Sequence, residues 1–235
     1  MEKIRIMTFN TQHCASLESG KIDFELMARV IRESDCDIVG LNEMRGEGPH
    51  PEYTPQTEEL SRLSGLENFF FAPAIELCDG LYGNGILSKY PFADVESIPI
   101  PDPSPRGYDG YYETRCIIKA RLENGLTLLV THFGLNPDEQ ESAVRTLLDH
   151  ISDEKCVLMG DFNLAPDNDI LLPIREKMKD AADLIDGEAL SFPSDAPRIK
   201  IDYVFVSRDI EILSADVPAV VASDHRPHLA EIALR

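Results

Sequence analysis

The chain has 235 residues, 43% of them hydrophobic, which is enough to bury one core without disulfides or structural metals, so we predict a single domain over residues 1–235. Its 22 Lys and Arg stand against 42 Asp and Glu, and the net charge of −20 repels polyanions and argues against non-specific binding to duplex nucleic acid. Five dispersed cysteines, no leader-like N-terminal segment and no apolar run of about 18 residues argue against a disulfide framework and a membrane span, and they predict a cytoplasmic location.

The first part of the chain has the pattern of a β-α-β unit. Apolar alternation predicts a strand that ends at Asn10, and Asp23 is an N-cap residue placed before apolar residues at helical spacing. A short apolar run then predicts a buried strand that presents Asn42 and Glu43 at its carboxyl end. The predicted elements are a strand over 3–9, a helix over 24–33 and a strand over 36–41.

The remaining pattern alternates hairpins with helices. The Asn124-Gly125 pair is typical of a hairpin turn, and Asn136-Pro137-Asp138-Glu139 is typical of a helix start with a capping box. The stretch 99–112 has four prolines, two glycines and three tyrosines, which predicts a surface loop that faces substrate. Further strands are predicted over 68–72, 83–88, 93–98, 113–122, 126–131, 156–159, 201–206 and 229–234, with helices over 57–63 and 137–151.

Six places in the sequence share one pattern, in which a hydrophobic strand stops and a polar residue follows at once. An isolated Asn or Asp in such a place is more often a turn former, because its side chain hydrogen-bonds the local backbone. Taken together, however, these residues have the chemistry that phosphate ester hydrolysis requires: hard oxygen ligands for a divalent cation, groups that orient water, and donors for the phosphate. The residues are Asn10, Asn42, Glu43, His132, Asp161, Asn163, Asp202, Asp224 and His225.

These stretches together resemble the endonuclease/exonuclease/phosphatase superfamily, which includes DNase I-like nucleases, apurinic endonucleases, inositol polyphosphate phosphatases and neutral sphingomyelinases. The resemblance spans nearly the whole chain, and the Gly-Asp-Phe-Asn and Ser-Asp-His motifs are its most specific parts. The matching stretches are Thr8-Phe9-Asn10, Leu41-Asn42-Glu43, Gly83-Asn84-Gly85-Ile86-Leu87-Ser88-Lys89-Tyr90-Pro91, Glu113-Thr114-Arg115, Thr131-His132-Phe133, Gly160-Asp161-Phe162-Asn163, Ile201-Asp202-Tyr203-Val204 and Ser223-Asp224-His225-Arg226-Pro227. The family more usually has glutamine at the position of Asn42.

The resemblance implies an α/β (α+β) fold of the DNase I type. This fold is a four-layer α/β/β/α sandwich, in which two mixed sheets pack face to face and helices cover both outer faces. The residue pattern supports it independently, because the predicted helices flank runs of hairpin-connected strands, and the strand-end residues could converge only at one edge of such a sandwich.

The resemblance also implies roles for individual residues. Glu43 is the principal ligand of a Mg²⁺ or Mn²⁺ ion, with Asn10 and Asp224 beside it. Asp161 and Asn163 position the attacking water and the scissile phosphate. His225, oriented by Asp202, and the second histidine, His132, act in acid-base catalysis or contact the phosphate.

Four residues are candidates for binding substrate. Arg115 is similar to an arginine that supports the metal-binding glutamate or the phosphate. Asn84 either touches substrate or makes structural hydrogen bonds at a strand end. Arg106 and Tyr111 either clamp a phosphate and an organic group, or belong to a loop that covers the edge of the core.

The function that follows is a metal-dependent hydrolase of a phosphodiester or phosphomonoester, acting on a small molecule or headgroup rather than on duplex nucleic acid. A DNA endonuclease or exonuclease is the alternative among enzymes. A catalytically inactive binding module is the alternative from another class, and such a module would usually have lost one or more ligands, all of which are present here.

Overall fold

The computed structural model of the protein describes residues 2–50 and 53–234, which form twelve strands and four α-helices. The strands are β1 (Glu2–Asn10), β2 (Ile38–Arg45), β3 (Asn68–Leu77), β4 (Gly80–Ser88), β5 (Phe92–Pro99), β6 (Cys116–Leu122), β7 (Thr127–His132), β8 (Cys156–Asp161), β9 (Met178–Asp180), β10 (Asp202–Ser207), β11 (Glu211–Asp216) and β12 (His228–Leu234). The helices are α1 (Phe24–Glu33), α2 (Gln56–Ser64), α3 (Pro137–Leu148) and α4 (Leu172–Lys177).

The strands form two six-stranded mixed sheets. The first sheet has the order β11-β12-β1-β2-β4-β3, and the second has the order β5-β6-β7-β8-β10-β9. Each sheet contains one parallel pair, β1 with β2 and β7 with β8, which brings the carboxyl ends of the two strands together. Asn10 therefore pairs with Asn42 in the first sheet, and His132 pairs with Asp161 in the second.

The two sheets pack face to face between two layers of helices. Ile6 of the first sheet and Val130 of the second belong to the core between the sheets. Met27 of α1 packs on the outer face of the first sheet, while Leu147 of α3 and Phe205 of β10 belong to the cluster on the outer face of the second. This arrangement confirms the predicted four-layer sandwich. No helix within the described ranges is long and apolar enough to cross a membrane.

The helix starts follow the capping residues that the sequence indicates. The Asp23 carboxylate accepts a hydrogen bond of 2.9 Å from the backbone N–H of Leu26 at the start of α1. Asn136 and Glu139 form a capping box at the start of α3, where Glu139 Oε2 accepts the Asn136 N–H at 3.1 Å. These bonds satisfy backbone donors that have no partner in the first turn of a helix. Helix α3 ends at Leu148, earlier than the predicted 151.

Several features of the sheets differ from the sequence-based prediction: β3 continues to Leu77 rather than residue 72, and β6 begins at Cys116 rather than residue 113. Strand β2 continues to Arg45 instead of ending before Asn42, so Asn42 and Glu43 lie inside the strand. The edge strands β9 and β11 were not predicted, because β9 has only three residues and β11 is largely solvent-exposed. A register shift between Ile212 and Ser214 also interrupts the alternation of β11, and alternation is the main sequence signal for a strand.

Candidate active site

The residues at the strand ends converge on one cleft, at the edge where β1, β7 and β8 end and β10 begins. The cleft has a volume of about 310 Å³. Two larger hollows, of about 590 and 550 Å³, both border Asp180 and Asp183 and contain none of the predicted site residues. The cleft is lined by Glu43, Tyr111, Glu113, Arg115, His132, Gly134, Leu135, Asp161, Asn163, Phe192, Ile201, Asp224 and His225.

A β-bulge in β2 determines the position of Glu43. The pairing of β2 with β4 shifts register between Leu41 and Met44, and Glu43 has a left-handed φ of 62°. A bulge re-aims a side chain, and a left-handed non-glycine residue persists only where its surroundings hold it. Asn10, at the end of the neighbouring strand, donates from Nδ2 to Glu43 Oε1 at 3.2 Å. The bulge and this hydrogen bond hold the Glu43 carboxylate at the cleft.

Asn42 connects the two sheets directly beneath the cleft. Its Nδ2 donates to the backbone oxygen of Thr131 and to Oδ1 of Asn84, both at 2.9 Å. Its Oδ1 accepts the backbone N–H of Asp161 at 3.0 Å. Because Asn42 belongs to β2, whereas Thr131 and Asp161 belong to β7 and β8, these bonds fix the distance between the sheets at the site. Asn42 therefore has a structural role beneath the cleft.

The Asp161 carboxylate lies at the centre of the site and is almost fully buried. Its Oδ1 accepts the backbone N–H of Asn163 at 2.9 Å, and its Oδ2 accepts Asn10 Nδ2 at 3.1 Å. Burial raises the pKa of Asp161, and the positive charge of His225 only partly offsets this rise. The preceding Gly160 has a φ of 147°, and a Cβ there would lie 1.8 Å from the backbone oxygen of Thr131, so the Gly-Asp-Phe-Asn motif requires its glycine.

His132 faces Asp161 from the end of β7 as a neutral imidazole. Arg115 Nη1 lies 3.1 Å from His132 Nδ1, and since a guanidinium only donates, we assign Nδ1 as the acceptor and place the hydrogen on Nε2. Nε2 lies 3.5 Å from Asp161 Oδ2 and 3.3 Å from Asn163 Nδ2. With the hydrogen on Nε2, Asn163 Nδ2 does not donate to the ring and donates instead to the backbone oxygen of Phe133, at 3.1 Å. Burial lowers the pKa of His132 well below its ordinary value, and Arg115 and His225 lower it further. His132 therefore offers an uncharged N–H to the cleft.

His225 has the opposite charge state because it lies between two carboxylates. Its Nδ1 is 2.8 Å from Asp202 Oδ2, and its Nε2 is 3.6 Å from Asp161 Oδ2. Burial opposes the charged form, but Asp202 and Asp161 together raise the pKa of His225 to about 10. The ring also packs against Phe192, with centroids 4.8 Å apart. His225 is thus a positively charged group held in a fixed orientation by Asp202.

Arg115 and Glu113 form an ion pair on another wall of the cleft. Arg115 Nη1 lies 2.5 Å from Glu113 Oε1, and both side chains are mostly buried. Burial raises the pKa of Glu113; Arg115 opposes this rise, whereas Glu43 and Glu139 add to it. The guanidinium therefore bridges a carboxylate and the neutral His132 in one orientation.

The sequence model of the Endonuclease/Exonuclease/phosphatase family matches residues 7–225, which include every strand-end residue described above. The chain belongs to this family. It is accordingly an enzyme that hydrolyses phosphate ester bonds. No curated protein sequence matches the chain.

Solved structures of other family members have the same fold. An endonuclease/exonuclease/phosphatase from Beutenbergia cavernae DSM 12333 is 22% identical with a TM-score of 0.81, and the match covers 100% of this chain and 72% of that one. The family protein from Bacteroides vulgatus is 21% identical with a TM-score of 0.77 over 100% of both chains. A mannosyl-6-phosphatase from Bacteroides thetaiotaomicron VPI-5482 is 13% identical with a TM-score of 0.77, over 98% of this chain and 100% of that one.

Family members generally depend on a divalent metal, and the donor set of this cleft fits a hard cation. Four carboxylates line the cleft, those of Glu43, Glu113, Asp161 and Asp224, against one guanidinium and the imidazolium of His225. Burial raises the pKa of Asp224; His225 opposes this rise, and the Glu43 carboxylate adds to it. A cation between Glu43 and Asp224 would relieve this repulsion.

Two details bear on which residues could hold the ion. Asn10 directs Nδ2 rather than Oδ1 towards Glu43, because its Oδ1 accepts the N–H of Gln12 at 3.1 Å, so ligation by Asn10 would require its amide to turn over. Asp161, Asp202 and His225 bring one potential ligand atom each within 4.8 Å of one another. However, Asp202 is fully buried and already paired with His225, which leaves Glu43 and Asp224 as the more accessible oxygen ligands.

The structure brings most of the predicted site residues together and places two elsewhere. Asn84 is only 2% exposed, and both ends of its amide are used inside the protein, by Asn42 Nδ2 and by the backbone oxygen of Cys116. Arg106 stacks over the ring of Tyr112 at 4.6 Å and does not line the cleft. Asn84 thus makes its hydrogen bonds to two neighbouring strands and Arg106 contacts its own loop, whereas Tyr111 lies in the cleft.

Five residues that line the cleft have no role assigned from the sequence: Glu113, Gly134, Leu135, Phe192 and Ile201. Glu113 could have been found, since it lies two positions before Arg115 in the matching Glu-Thr-Arg stretch. Leu135 and Phe192 gave no such signal, because an apolar residue in a loop is common and acquires a meaning only from its place at the cleft.

Proposed function

We propose that the protein is a divalent-metal-dependent phosphoesterase that hydrolyses small phosphate esters by direct attack of water. The observation that carries this proposal is the convergence of four carboxylates, one charged histidine and one neutral histidine on a single cleft. We also propose that residues 1–235 are one domain. A cytoplasmic location is supported by five free cysteines, four of them buried.

Glu43 and Asp224 are the proposed ligands of Mg²⁺ or Mn²⁺, with Asn10 as a further ligand once its amide has turned. The bound ion would supply positive charge that offsets the charge of the phosphate and activates water. Both carboxylates line the cleft, and hard oxygen donors of this kind suit Mg²⁺ and Mn²⁺ better than softer metals.

The chain's own residues orient the reacting groups. Asp161, whose pKa burial raises towards neutrality, is placed to accept a proton from the attacking water, and the Asn163 N–H holds its carboxylate in place. The Nε2–H groups of His225 and His132 face the same carboxylate oxygen from two sides, at 3.6 and 3.5 Å. They are positioned to contact the phosphate oxygens, and the charged His225 has a proton to give to the leaving oxygen.

A small substrate is favoured over duplex DNA because few basic residues are available. A nuclease that holds several phosphates needs a matching number of Lys or Arg contacts. Of the other basic residues considered, Arg106 stacks on Tyr112 and Arg226 donates to the backbone oxygen of Ser194, whereas Lys89 lies beyond the amino end of β2, away from the cleft, and pairs with Asp37. Among the residues that the structure describes as lining the cleft, Arg115 is the only Lys or Arg.

A comparison of substrates tests this proposal. At low salt with Mg²⁺, we expect kcat/KM for small phosphate esters to exceed that for nicking of supercoiled plasmid by about 10-fold or more. Phosphate release and plasmid nicking are measured at matched enzyme concentration. Efficient nicking with a steep salt dependence, together with negligible turnover of small esters, would instead support the nuclease alternative.

A further inference from the structure

We infer that Tyr111, Leu135 and Phe192 form a rim that binds the leaving group of the substrate, and that this group is an uncharged alcohol with a flat, apolar face. The inference rests on the proposed phosphoesterase function and deepens it by naming a substrate class: phosphomonoesters of neutral aromatic or carbohydrate alcohols. In the reaction, the water oxygen bonds to phosphorus, the bond from phosphorus to the leaving oxygen breaks, and the neutral alcohol departs with a proton from His225, while Asp161 takes a proton from the water.

The rim residues are apolar side chains exposed at the mouth of a polar cleft. Tyr111 is 65% exposed and Leu135 is 63% exposed, the two largest values among the exposed large hydrophobic side chains of the described residues. Both line the cleft, and Phe192 lines it beside His225. Large apolar side chains that stay exposed next to polar reacting groups are typical of a ligand site, where bound ligand covers them.

The loop that carries the exposed Tyr111 is held on the first turn of α3 by one hydrogen bond to the Tyr111 backbone and by others to its neighbours. Asn136 Nδ2 donates to the backbone oxygen of Tyr111 at 2.8 Å. Tyr112 Oη donates to Asp138 Oδ2 at 2.8 Å, and the same carboxylate accepts the N–H of Gly107 at 2.9 Å. The Tyr111 ring is thus presented to the cleft in advance of binding, which reduces the entropy lost when a ligand binds.

The same helix start also positions Leu135. It directly precedes Asn136, the N-cap residue that holds the Tyr111 backbone. One set of hydrogen bonds therefore holds the backbone at both positions of this part of the rim. Tyr111 and Leu135 consequently belong to one surface, because the same helix start holds the backbone of both.

The charges of the cleft limit the leaving group to an uncharged one. The one guanidinium among the lining residues, that of Arg115, is already paired with Glu113 at 2.5 Å. A second phosphate on the leaving group would meet carboxylates and no unpaired guanidinium, and a charge buried without a partner is unfavourable. The volume of about 310 Å³ is at the lower end for ligand pockets, which suits one phosphate and one ring.

The experiment compares four substrates of the Mg²⁺-loaded protein: methyl phosphate, phenyl phosphate, glucose 6-phosphate and fructose 1,6-bisphosphate. We expect phenyl phosphate or glucose 6-phosphate to exceed both others in kcat/KM, and the ratio of these two tells whether an aromatic or a carbohydrate face is preferred. Tyr111→Ala and Leu135→Ala should each lower kcat/KM for the preferred ester by about fivefold to tenfold, mainly through KM, with less than about a twofold change for methyl phosphate.

Matched control variants distinguish the loss of a rim contact from a general effect of substitution on activity. Tyr111→Phe keeps the ring and should keep the preference for the larger ester. Tyr108 lies in the same loop and Leu172 lies on α4, and both are 51% exposed and outside the cleft. Tyr108→Ala and Leu172→Ala should therefore change neither kcat nor KM. Inhibition by phenylphosphonate compared with methylphosphonate provides a second readout on the unaltered protein, and we expect the phenyl compound to bind more tightly.

The outcomes distinguish this inference from the proposed function. Failure to hydrolyse any ester would contradict the proposed function itself. Three results would overturn the inference while leaving the phosphoesterase proposal intact. The first is equal kcat/KM for methyl phosphate, phenyl phosphate and glucose 6-phosphate, and the second is a preference for the bisphosphate. The third is an equal fall in kcat/KM for every substrate in the rim variants.

Discussion

Replacing Glu43 by Gln is expected to lower phosphate release by about 10³-fold or more, the largest effect of any substitution considered, because it removes the charge of the principal proposed metal ligand. The amide has nearly the same size, and it can still accept the hydrogen bond that Asn10 donates to Glu43 Oε1. Folding should therefore be preserved. Phosphate release is measured over a range of Mg²⁺ concentrations, alongside the thermal unfolding temperature.

The variant should also need a higher Mg²⁺ concentration for half-maximal activity, since a neutral ligand binds the ion less tightly. Glu141→Gln is a matched control, because Glu141 is an exposed residue of α3 whose carboxylate lies 3.8 Å from Arg145. It should behave as the unaltered protein. Full activity of Glu43→Gln at limiting Mg²⁺ would show that Glu43 is not a ligand of the metal ion.

Replacing Asp202 by Asn should lower kcat by about 10²-fold and move the alkaline limb of the pH profile to lower pH. Asp202 holds the imidazolium of His225 through a contact of 2.8 Å and helps to raise the pKa of His225 to about 10. Without this carboxylate the pKa falls, so His225 loses its proton at a lower pH. The profile of kcat against pH is compared with that of Asp180→Asn, which alters a buried carboxylate outside the cleft.

The stability of Asp202→Asn should also depend on pH, with a sign set by the raised pKa of His225. A group whose pKa rises on folding stabilises the folded state below its ordinary value and loses this contribution as the pH passes through the folded value. For His225 the window runs from 6.5 to about 10. The loss of unfolding free energy in the variant should thus be largest below pH 6.5 and should shrink towards pH 10. If the loss of unfolding free energy were the same at every pH and kcat were unchanged, Asp202 would only stabilise its strand and would not act through His225.

Much of this architecture could be predicted from the sequence, because local patterns determine it. Asp23 and the Asn136–Glu139 capping box mark the helix starts, and the four-layer arrangement follows from where apolar alternation and helical spacing occur. The strand ends were also informative. The parallel pairing of β1 with β2 and of β7 with β8 is what brings Asn10, Asn42, His132 and Asp161 to one edge.

The remaining features depend on contacts between distant residues. No local pattern indicates that Glu43 adopts a left-handed φ of 62° in a bulge. The use of the Asn84 amide by Asn42 and Cys116 depends on the distance between two sheets. The hydrogen bonds that fix the tyrosine-containing loop on α3 join residues 25 to 31 positions apart, so the rim becomes visible only in the folded chain.

Removal and return of the metal tests the central claim most directly. Phosphate release from phenyl phosphate is measured for the purified protein with Mg²⁺, after addition of excess EDTA, and after the EDTA has been titrated with Mg²⁺ or Mn²⁺. We expect release in the first state, its loss with the chelator and its recovery with either ion, because the cleft offers hard oxygen ligands and an excess of negative charge. Release that continues at full rate in EDTA would contradict the account.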